Sequence, residues 1–329
     1  MLIWLADSGR TVFIDFREKA PTGAAADMFE LDEEGSIKPD DRGFNPAVVG
    51  GRSVAVPGEV AGLLLAQQKF GSMARAQVMQ PAIGLAEQGI TVSEVLAGLI
   101  AENYDVLLGY PESSAIYLSD DFPKSPGETV RNTDLAATLR LVAEQGRDGF
   151  YTGRVAQSIV NAVQADGGSV TMEDLAGYLP SYRAPVRGQY RGYDIVSSPP
   201  PSSGGAHVIE LLNIMEHYDL AAMGPDSADS LHAWGEAMKL AYADRAVFMG
   251  DSDFVLVPTE ELASKAYAKK RFELIDMDKA MPEYGAGDPT AGDSGSTTHY
   301  SVIDAAGNMV ACTKTINHFF GSGITAPGT

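Results

Sequence analysis

A turn sequence near the end of the chain constrains how the two strand-like runs beside it can pair. The runs are Thr298–Asp304 and Met309–Ile316. Asp304 and Gly307 stand at the first and fourth positions of the turn, which is typical of a type I turn followed by a glycine in the left-handed conformation. Such a turn closes a three-residue hairpin loop and pairs Asp304 with Asn308. The numbers of any two paired residues then add to 612.

This register decides which polar residues share one face at the open end of the hairpin. Thr297 is predicted to lie opposite Thr315, because cross-strand partners share a face with their Cβ atoms about 4.5–5.5 Å apart. Asn317 is predicted to lie diagonally on that same face. A two-residue loop at Ala306-Gly307 is the alternative, and it would turn Thr315 to the opposite face.

Thr297 follows a segment, Met277–Ser296, whose many Asp, Gly, Pro, Ser and Thr residues predict an exposed loop. If the chain were cleaved just before Thr297, the threonine hydroxyl would lie beside its own free α-amine. An amine with a pKa of about 8 can act as general base for that hydroxyl. The alternative interpretation is a threonine that simply opens a strand, because β-branched residues favour strands.

The remainder of the chain is predicted to be rich in helices, with strands mainly at its two ends. The runs Met1–Ala6 and Thr11–Phe16 predict a β-hairpin, and Arg183–Ser198 is predicted to be extended. Apolar periodicity and helix-start residues predict the following helices: Gly58–Lys69, Met73–Gln88, Val92–Leu108, Thr133–Gln145, Gly153–Gln164, Thr171–Leu175, Ala206–Tyr218, Ser227–Phe248 and Glu260–Leu274. The pattern predicts an α/β fold class.

Composition and charge exclude several classes of function. Lys and Arg number 24 and Asp and Glu number 44, so the formal net charge is −20. This charge argues against a nucleic-acid-binding protein and against an anionic membrane surface as partner. No apolar run approaches the roughly 18 residues of a membrane span. Cys312 is the sole cysteine, which excludes an internal disulfide, and no metal or cofactor motif is found, so no cofactor is predicted.

Short motifs along the chain can be compared with those of known families. Near its end these motifs are Ser296–Val302, Asp304–Asn308, Thr313–Asn317 and Phe320–Gly323, and earlier in the chain they are Asp15–Pro21, Val56–Gly58 and Pro199–Gly205. Together they resemble the γ-glutamyltranspeptidases. The first group is similar to the start of the small subunit of that family, and Asp15–Pro21 is similar to the substrate-carboxylate segment of the large subunit. The resemblance spans nearly the whole chain.

The resemblance implies an N-terminal-nucleophile hydrolase with a four-layer αββα sandwich, incomplete in this chain. Residues 1–296 would form the large-subunit-like region, ending in a flexible linker, and residues 297–329 the start of the small-subunit-like region. The precursor would cleave itself between Ser296 and Thr297, and its two subunits would form a heterodimer. The family resemblance also implies a periplasmic or extracellular location, although no signal peptide is recognised in this chain.

The same resemblance implies an enzyme, a γ-glutamyltransferase or glutathione hydrolase with a threonine nucleophile. Thr297 would take the γ-glutamyl group from glutathione or a related γ-glutamyl amide and pass it to water, an amino acid or a dipeptide. Thr315 would position this nucleophile, and Asn317 would contact the bound glutamate. Arg17 would hold the substrate α-carboxylate, a pairing suited to its planar guanidinium. Without the resemblance, Arg17 would be an ordinary surface arginine and Asn317 a polar residue that ends a strand.

The chain departs from the family pattern at both ends. The export signal and Gly-rich segment of the family are not recognised before Met1. The acidic or amide pair, the Ser-Ser pair and the Gly-Gly oxyanion hole of the family are not recognised after Thr329. We therefore expect a fragment that is inactive by itself. Two other functions stay open, a relative that resembles β-lactam side-chain acylases and a catalytically inert fragment; a retained Arg17 favours a γ-glutamyl substrate.

Overall fold

The computed structural model describes residues 1–282 and 297–329 of the 329-residue chain. Ser296 and most of the predicted loop Met277–Ser296 lie outside the described residues. The described part of the chain forms two compact units. The first unit contains residues 1–14, 182–282 and 300–312, and the second contains residues 15–181, 297–299 and 313–329.

The described strands are short, apart from the two near the end of the chain. They are β1 (Leu2–Leu5), β2 (Arg10–Asp15), β3 (Ile90–Thr91), β4 (Leu118–Ser119), β5 (Phe122–Pro123), β6 (Thr129–Val130), β7 (Ser181–Arg183), β8 (Val186–Tyr190), β9 (Tyr193–Ser197), β10 (Thr297–Ile303) and β11 (Met309–Thr315).

The described α-helices all lie between the two terminal hairpins. They are α1 (Glu59–Phe70), α2 (Arg75–Gln88), α3 (Glu94–Glu102), α4 (Tyr104–Leu108), α5 (Pro111–Tyr117), α6 (Thr133–Gln145), α7 (Asp148–Tyr151), α8 (Gly153–Ala165), α9 (Met172–Gly177), α10 (Ala206–Met215), α11 (Leu220–Met223), α12 (Ala228–Phe248), α13 (Thr259–Leu262) and α14 (Lys265–Phe272).

The main sheet has the strand order β10-β11-β1-β2-β7. β1 is antiparallel to both of its neighbours, with Leu2 opposite Phe13 of β2 and opposite Ala311 of β11. The predicted N-terminal hairpin is therefore confirmed. β2 and β11 flank the same strand, so they run parallel to each other, and their C-terminal ends lie at the same end of the sheet. One face of these strands is buried, since Ile14 and Cys312 are almost fully covered.

The β10–β11 turn has the geometry that the sequence predicts. The Asp304 N–H donates to the Asn308 carbonyl at 3.1 Å, and the Gly307 N–H donates to the Asp304 carbonyl at 3.0 Å. Gly307 has a φ of 83°, the left-handed conformation that this loop requires. A hydrogen bond from the Asn308 side chain and further backbone N–H bonds lower the pKa of the Asp304 carboxyl. The three-residue loop is confirmed.

Each unit has its own apolar core. In the first unit, α10, α12 and α14 pack together around a cluster of small and aromatic residues: Ile214, Met215, Tyr218, Ala233, Ala237 and Ala268. In the second unit, α7, α8 and α9 surround a cluster that includes two tyrosines: Val56, Ala61, Tyr151, Ala156, Val160, Val163, Val170, Leu175 and Tyr178. Among the described residues, no helix is both long and apolar enough to cross a membrane.

Two predicted long helices are interrupted. The predicted helix Val92–Leu108 breaks at Asn103, whose side-chain amide donates to the Leu99 carbonyl at 2.8 Å and ends α3. The predicted helix Glu260–Leu274 breaks before Ser264, whose hydroxyl accepts the Tyr267 N–H and caps a new helix. In both cases a short polar side chain competes for backbone hydrogen bonds, which favours a helix end over its continuation.

Candidate active site

The register of the β10–β11 hairpin can be followed from its turn to its open end. His299 Nδ1 lies 2.7 Å from Thr313 Oγ1. The numbers of this pair add to 612, as do those of Asp304 and Asn308 at the turn, so the register is the same at both ends of the hairpin. Continued by two positions, this register aligns Thr297, the first residue of β10, with Thr315, the last residue of β11.

Arg17 lies just beyond β2, at the end of the sheet where β11 also ends. Phe13 and Ala311 are level with each other, since both are paired with Leu2. β2 ends at Asp15, two residues before Arg17, and β11 ends at Thr315, so Arg17 and Thr315 both lie near the same end of the sheet. Two strand spacings separate β2 from β11, which corresponds to roughly 10 Å between their backbones.

The backbone of Arg17 is held on both sides of the residue. Its N–H donates to Asp15 Oδ1 at 3.0 Å, and its carbonyl accepts a hydrogen bond from the Tyr178 hydroxyl at 2.8 Å. Two residues later, Lys19 and Val56 exchange backbone hydrogen bonds of 3.2 and 2.8 Å. The Arg17 side chain is 53% exposed, with Nε 3.4 Å from Glu18 Oε1. An ordered backbone thus carries an accessible guanidinium.

Two glycines let helix α1 approach this segment closely. A Cβ atom on Gly58 would lie 2.1 Å from Tyr178 Oη and 2.2 Å from the Phe16 carbonyl oxygen. A Cβ atom on Gly62 would lie 2.2 Å from Cγ of Phe16. Real contacts of this kind are longer than 3 Å, so a side chain at either position would displace Phe16 or the helix. This close fit gives a physical reason for the Val56-Pro57-Gly58 motif.

Tyr178 is part of a buried aromatic stack. Its ring lies 6.0 Å from the Tyr151 ring with 9° between the two planes. The Tyr151 hydroxyl donates to the Pro57 carbonyl at 2.8 Å and accepts the Ala61 N–H at 3.2 Å. Burial raises the pKa of both phenols, that of Tyr151 to about 12. Both hydroxyls therefore stay protonated at neutral pH and serve as hydrogen-bond donors.

Asn317 ends the strand that carries Thr315. Its φ of 65° is in the left-handed region, which asparagine tolerates better than most residues. Its N–H donates to Thr315 Oγ1 at 2.9 Å, and both residues are exposed. Just before them, Lys314 Nζ lies 2.8 Å from Glu59 Oε1 and so connects the end of β11 to the first residue of α1.

The structure places the described site residues in the second unit: Thr297, Thr315 and Asn317 lie on the β10–β11 hairpin or directly after it, and Arg17 follows β2. Strand β2 lies on the other side of β1 from β11 and ends at the same end of the sheet. Sequence reasoning did not single out Tyr178 or the close fit at Gly58, because no local pattern indicates which distant residue a buried hydroxyl or a glycine contacts. Within the described part of the chain, no group of three or more His, Cys, Asp or Glu side chains could hold a metal ion.

Known structures define the class to which this fold belongs. The chain is similar to γ-glutamyltranspeptidase from Helicobacter pylori, with a TM-score of 0.82 and 41% identity over 90% of this chain and 83% of that one. It is also similar to cephalosporin acylase from Bacillus halodurans, with a TM-score of 0.83 and 28% identity over 99% of this chain and 58% of that one. The fold is that of the N-terminal-nucleophile hydrolases, as expected from the sequence.

The family model for γ-glutamyltranspeptidase matches residues 1–329. The chain belongs to the γ-glutamyltranspeptidase family. It is 44% identical to a glutathione hydrolase proenzyme of Escherichia coli (strain K12), over 97% of this chain and 54% of that protein. It is 43% identical to the acylase ACY 1 proenzyme of Pseudomonas sp. (strain SE83), over 99% of this chain and 58% of that protein. The chain thus spans about half the length of the curated relatives it matches.

Proposed function

We propose that the whole protein is a γ-glutamyl transferase and hydrolase that acts on glutathione and related γ-glutamyl amides. Its nucleophile is Thr297, made N-terminal by self-cleavage after Ser296. The observation that carries this proposal is the register of the β10–β11 hairpin, seen at the Asp304–Asn308 turn and at the His299–Thr313 contact. Continued by two positions, this register aligns Thr297 with Thr315 at the end of the sheet where β2 also ends. Family membership supports the same chemistry.

Self-cleavage begins when the Thr297 hydroxyl attacks the carbonyl of Ser296. The Ser296–Thr297 amide becomes an ester, and the amide nitrogen leaves as the α-amine of Thr297. Water then hydrolyses the ester, so that Ser296 gains a carboxylate and Thr297 recovers its hydroxyl. The two resulting chains correspond to residues ending at 296 and residues beginning at 297.

In turnover the freed α-amine of Thr297 removes the proton from its own hydroxyl, as its pKa of about 8 allows. The alkoxide attacks the γ-carbonyl of the substrate and forms an ester, while the leaving amine takes up the proton. Water or the amine of an acceptor amino acid or dipeptide then cleaves this ester. Arg17 binds the substrate α-carboxylate, Thr315 positions the nucleophile, and Asn317 contacts the glutamyl group.

The contacts of the tail support a heterodimer that persists after cleavage. Within the second unit, Ser113 Oγ donates to the Gly323 carbonyl at 2.6 Å, and Ser158 Oγ donates to the Pro327 carbonyl at 2.6 Å. The Arg154 guanidinium donates to the Gly328 carbonyl. β11 is also paired with β1 along three residues. These bonds join residues on either side of the cleavage point, so the two chains stay associated.

The family also leads us to propose export from the cytoplasm, which cell fractionation would test.

The experiment that tests the nucleophile is N-terminal sequencing of the smaller chain of the whole precursor. We expect the sequence to begin at Thr297. Thr297→Ala should remain one polypeptide without turnover, whereas Thr297→Ser should still cleave and retain activity because it keeps a hydroxyl and an amine. Thr298→Ala is the matched control and should process normally. Cleavage at another residue, or turnover by Thr297→Ala, would disprove the mechanism.

The acylase similarity supports a second candidate function, the removal of an acyl side chain from a β-lactam. One relative and one similar structure are acylases by name. The nucleophile would be the same, but a β-lactam side chain without an α-carboxylate beside the acyl group would not need Arg17. Comparing turnover of a γ-glutamyl chromogenic amide with that of an acylated β-lactam separates the two, and we expect the γ-glutamyl amide to be the better substrate.

A further inference from the structure

The accessible arginine of the candidate site depends on a remote tyrosine for one of its two backbone anchors. The Arg17 carbonyl accepts its hydrogen bond from the Tyr178 hydroxyl, which lies 161 positions later in the chain. The other anchor, from Asp15, lies only two residues away and orients the N–H of Arg17. The backbone pair of Lys19 with Val56 ties the segment to the second unit two residues later, whereas the Tyr178 hydroxyl does so at Arg17 itself.

The position of the Tyr178 hydroxyl is itself tightly defined. Its ring is 3% exposed and stacks on the Tyr151 ring. The Tyr178 carbonyl accepts a hydrogen bond of 2.7 Å from the Arg147 guanidinium, which also lies 4.9 Å from the centre of the Tyr151 ring. Gly58 closes the remaining space beside the hydroxyl, since a Cβ atom there would lie 2.1 Å from Tyr178 Oη. The hydroxyl is therefore held at one place by packing on several sides.

We infer that Tyr178 is a positioning residue for substrate binding, which holds the backbone of Arg17 so that its guanidinium meets the substrate α-carboxylate. This inference rests on the proposed function, because it assumes that Arg17 binds that carboxylate. Because Tyr178 is buried and its hydroxyl is bonded to the Arg17 carbonyl, it would act through Arg17 and not by touching the substrate. The hydrogen bond restrains the Arg17 segment before the substrate binds, so less conformational entropy is lost on binding. Preorganisation of this kind improves affinity without adding a contact.

The test is the Tyr178→Phe variant of the whole precursor, which keeps the ring and removes the hydroxyl. We expect KM for a γ-glutamyl amide to rise about three- to tenfold, as the loss of one hydrogen bond predicts, while kcat stays within about twofold. Tyr110→Phe is the matched control. Tyr110 is also buried, and its hydroxyl donates to Asp166 at 2.8 Å and accepts from the Arg42 guanidinium at 3.0 Å, two partners outside the Arg17 segment. We expect Tyr110→Phe to lower thermal stability and leave KM unchanged.

A double-mutant cycle with Arg17→Ala shows whether Tyr178 acts through Arg17. We expect Tyr178→Phe to have no further effect on KM once Arg17 is alanine. Gly58→Ala would crowd both the Tyr178 hydroxyl and the Phe16 carbonyl, so it disturbs the same backbone anchor without changing Tyr178. Its effect on KM should also disappear in the Arg17→Ala background, and Tyr178→Phe decides the inference wherever it folds. This second variant keeps the test valid if Tyr178→Phe does not fold.

The possible results separate the inference from the function on which it rests. If Arg17→Ala leaves KM unchanged, the proposed role of Arg17 fails, and the inference fails with it. If Arg17→Ala raises KM but neither Tyr178→Phe nor Gly58→Ala does so, the inference alone is overturned. It is also overturned if these variants raise KM equally with and without Arg17, because their effect is then a general loss of structure.

Discussion

Replacing Gly62 by alanine tests the close packing of helix α1 against the Arg17 segment. Gly62 lies inside α1, where alanine would ordinarily be favoured over glycine by about 1 kcal/mol. Here, however, the added Cβ atom would lie 2.2 Å from two ring atoms of Phe16, whereas ordinary contacts begin at 3.4 Å. Either the helix or the ring must move by about 1.2 Å. The added atom would also lie 2.4 Å from the Cβ of Phe16, so rotation of the ring does not relieve the clash. If the helix stays in place, the backbone of Phe16, directly before Arg17, must shift.

The size of the effect follows from two opposing contributions. Overpacking a buried site costs about 1–3 kcal/mol, and a displacement above 1 Å places this site at the upper end. Subtracting the gain of about 1 kcal/mol in helix propensity leaves a net loss of about 2 kcal/mol in the free energy of unfolding. Gly98 is the matched control, because it lies inside α3 with no atom within 4 Å of an added Cβ. Gly98→Ala should therefore gain about 1 kcal/mol.

Urea-induced unfolding of the whole precursor, followed by the circular dichroism of its helices, measures both variants under the same conditions. We expect their free energies of unfolding to differ by about 3 kcal/mol, with Gly62→Ala the less stable. Gly62→Ala should also raise KM for a γ-glutamyl amide, since Phe16 and Arg17 move together. Equal stability of the two variants would refute the packing argument.

Three further outcomes are expected. Arg17→Ala should raise KM for γ-glutamyl substrates by an amount equivalent to about 2–5 kcal/mol, with little effect on a substrate that lacks the α-carboxylate; an unchanged KM would contradict this. Burial, together with the hydrogen bond and charge of Asp244, raises the pKa of Glu210 to about 9, so the folded protein keeps a proton that the unfolded chain releases. Stability should therefore fall between pH 4.5 and about 9, by up to about 1.4 kcal/mol per pH unit. Urea unfolding of wild type and Glu210→Gln should show a flatter pH profile for the variant. The 329-residue chain expressed alone should aggregate and show little turnover. The reason is that β10 is an outer strand of the described sheet, with Val302 and Ile303 exposed. A monomer in light scattering with ordinary glutathione hydrolysis would contradict this.

Local sequence determined the features that depend on a few neighbouring residues. The turn from Asp304 to Asn308 was predictable because its hydrogen bonds and its left-handed glycine lie within five consecutive positions. The helix Thr133–Gln145 has the predicted bounds, and the predicted start at Thr171 forms a capping box with Asp174. The family motifs are local as well, so the proposed roles of Thr297 and its partners could be expected before the fold was known.

Only the tertiary structure decided how these local pieces combine into a candidate site. Nothing near Arg17 in the sequence indicates that its strand and β11 flank β1 in matching register. The hydrogen bond from Tyr178 and the space beside Gly58 likewise join segments that are far apart along the chain. Such contacts form where several elements bury their apolar faces together, and no single segment specifies which surface it will meet. The local sequence therefore determined the β10–β11 hairpin and its register. Packing determined where Arg17 lies relative to that hairpin and how its backbone is held.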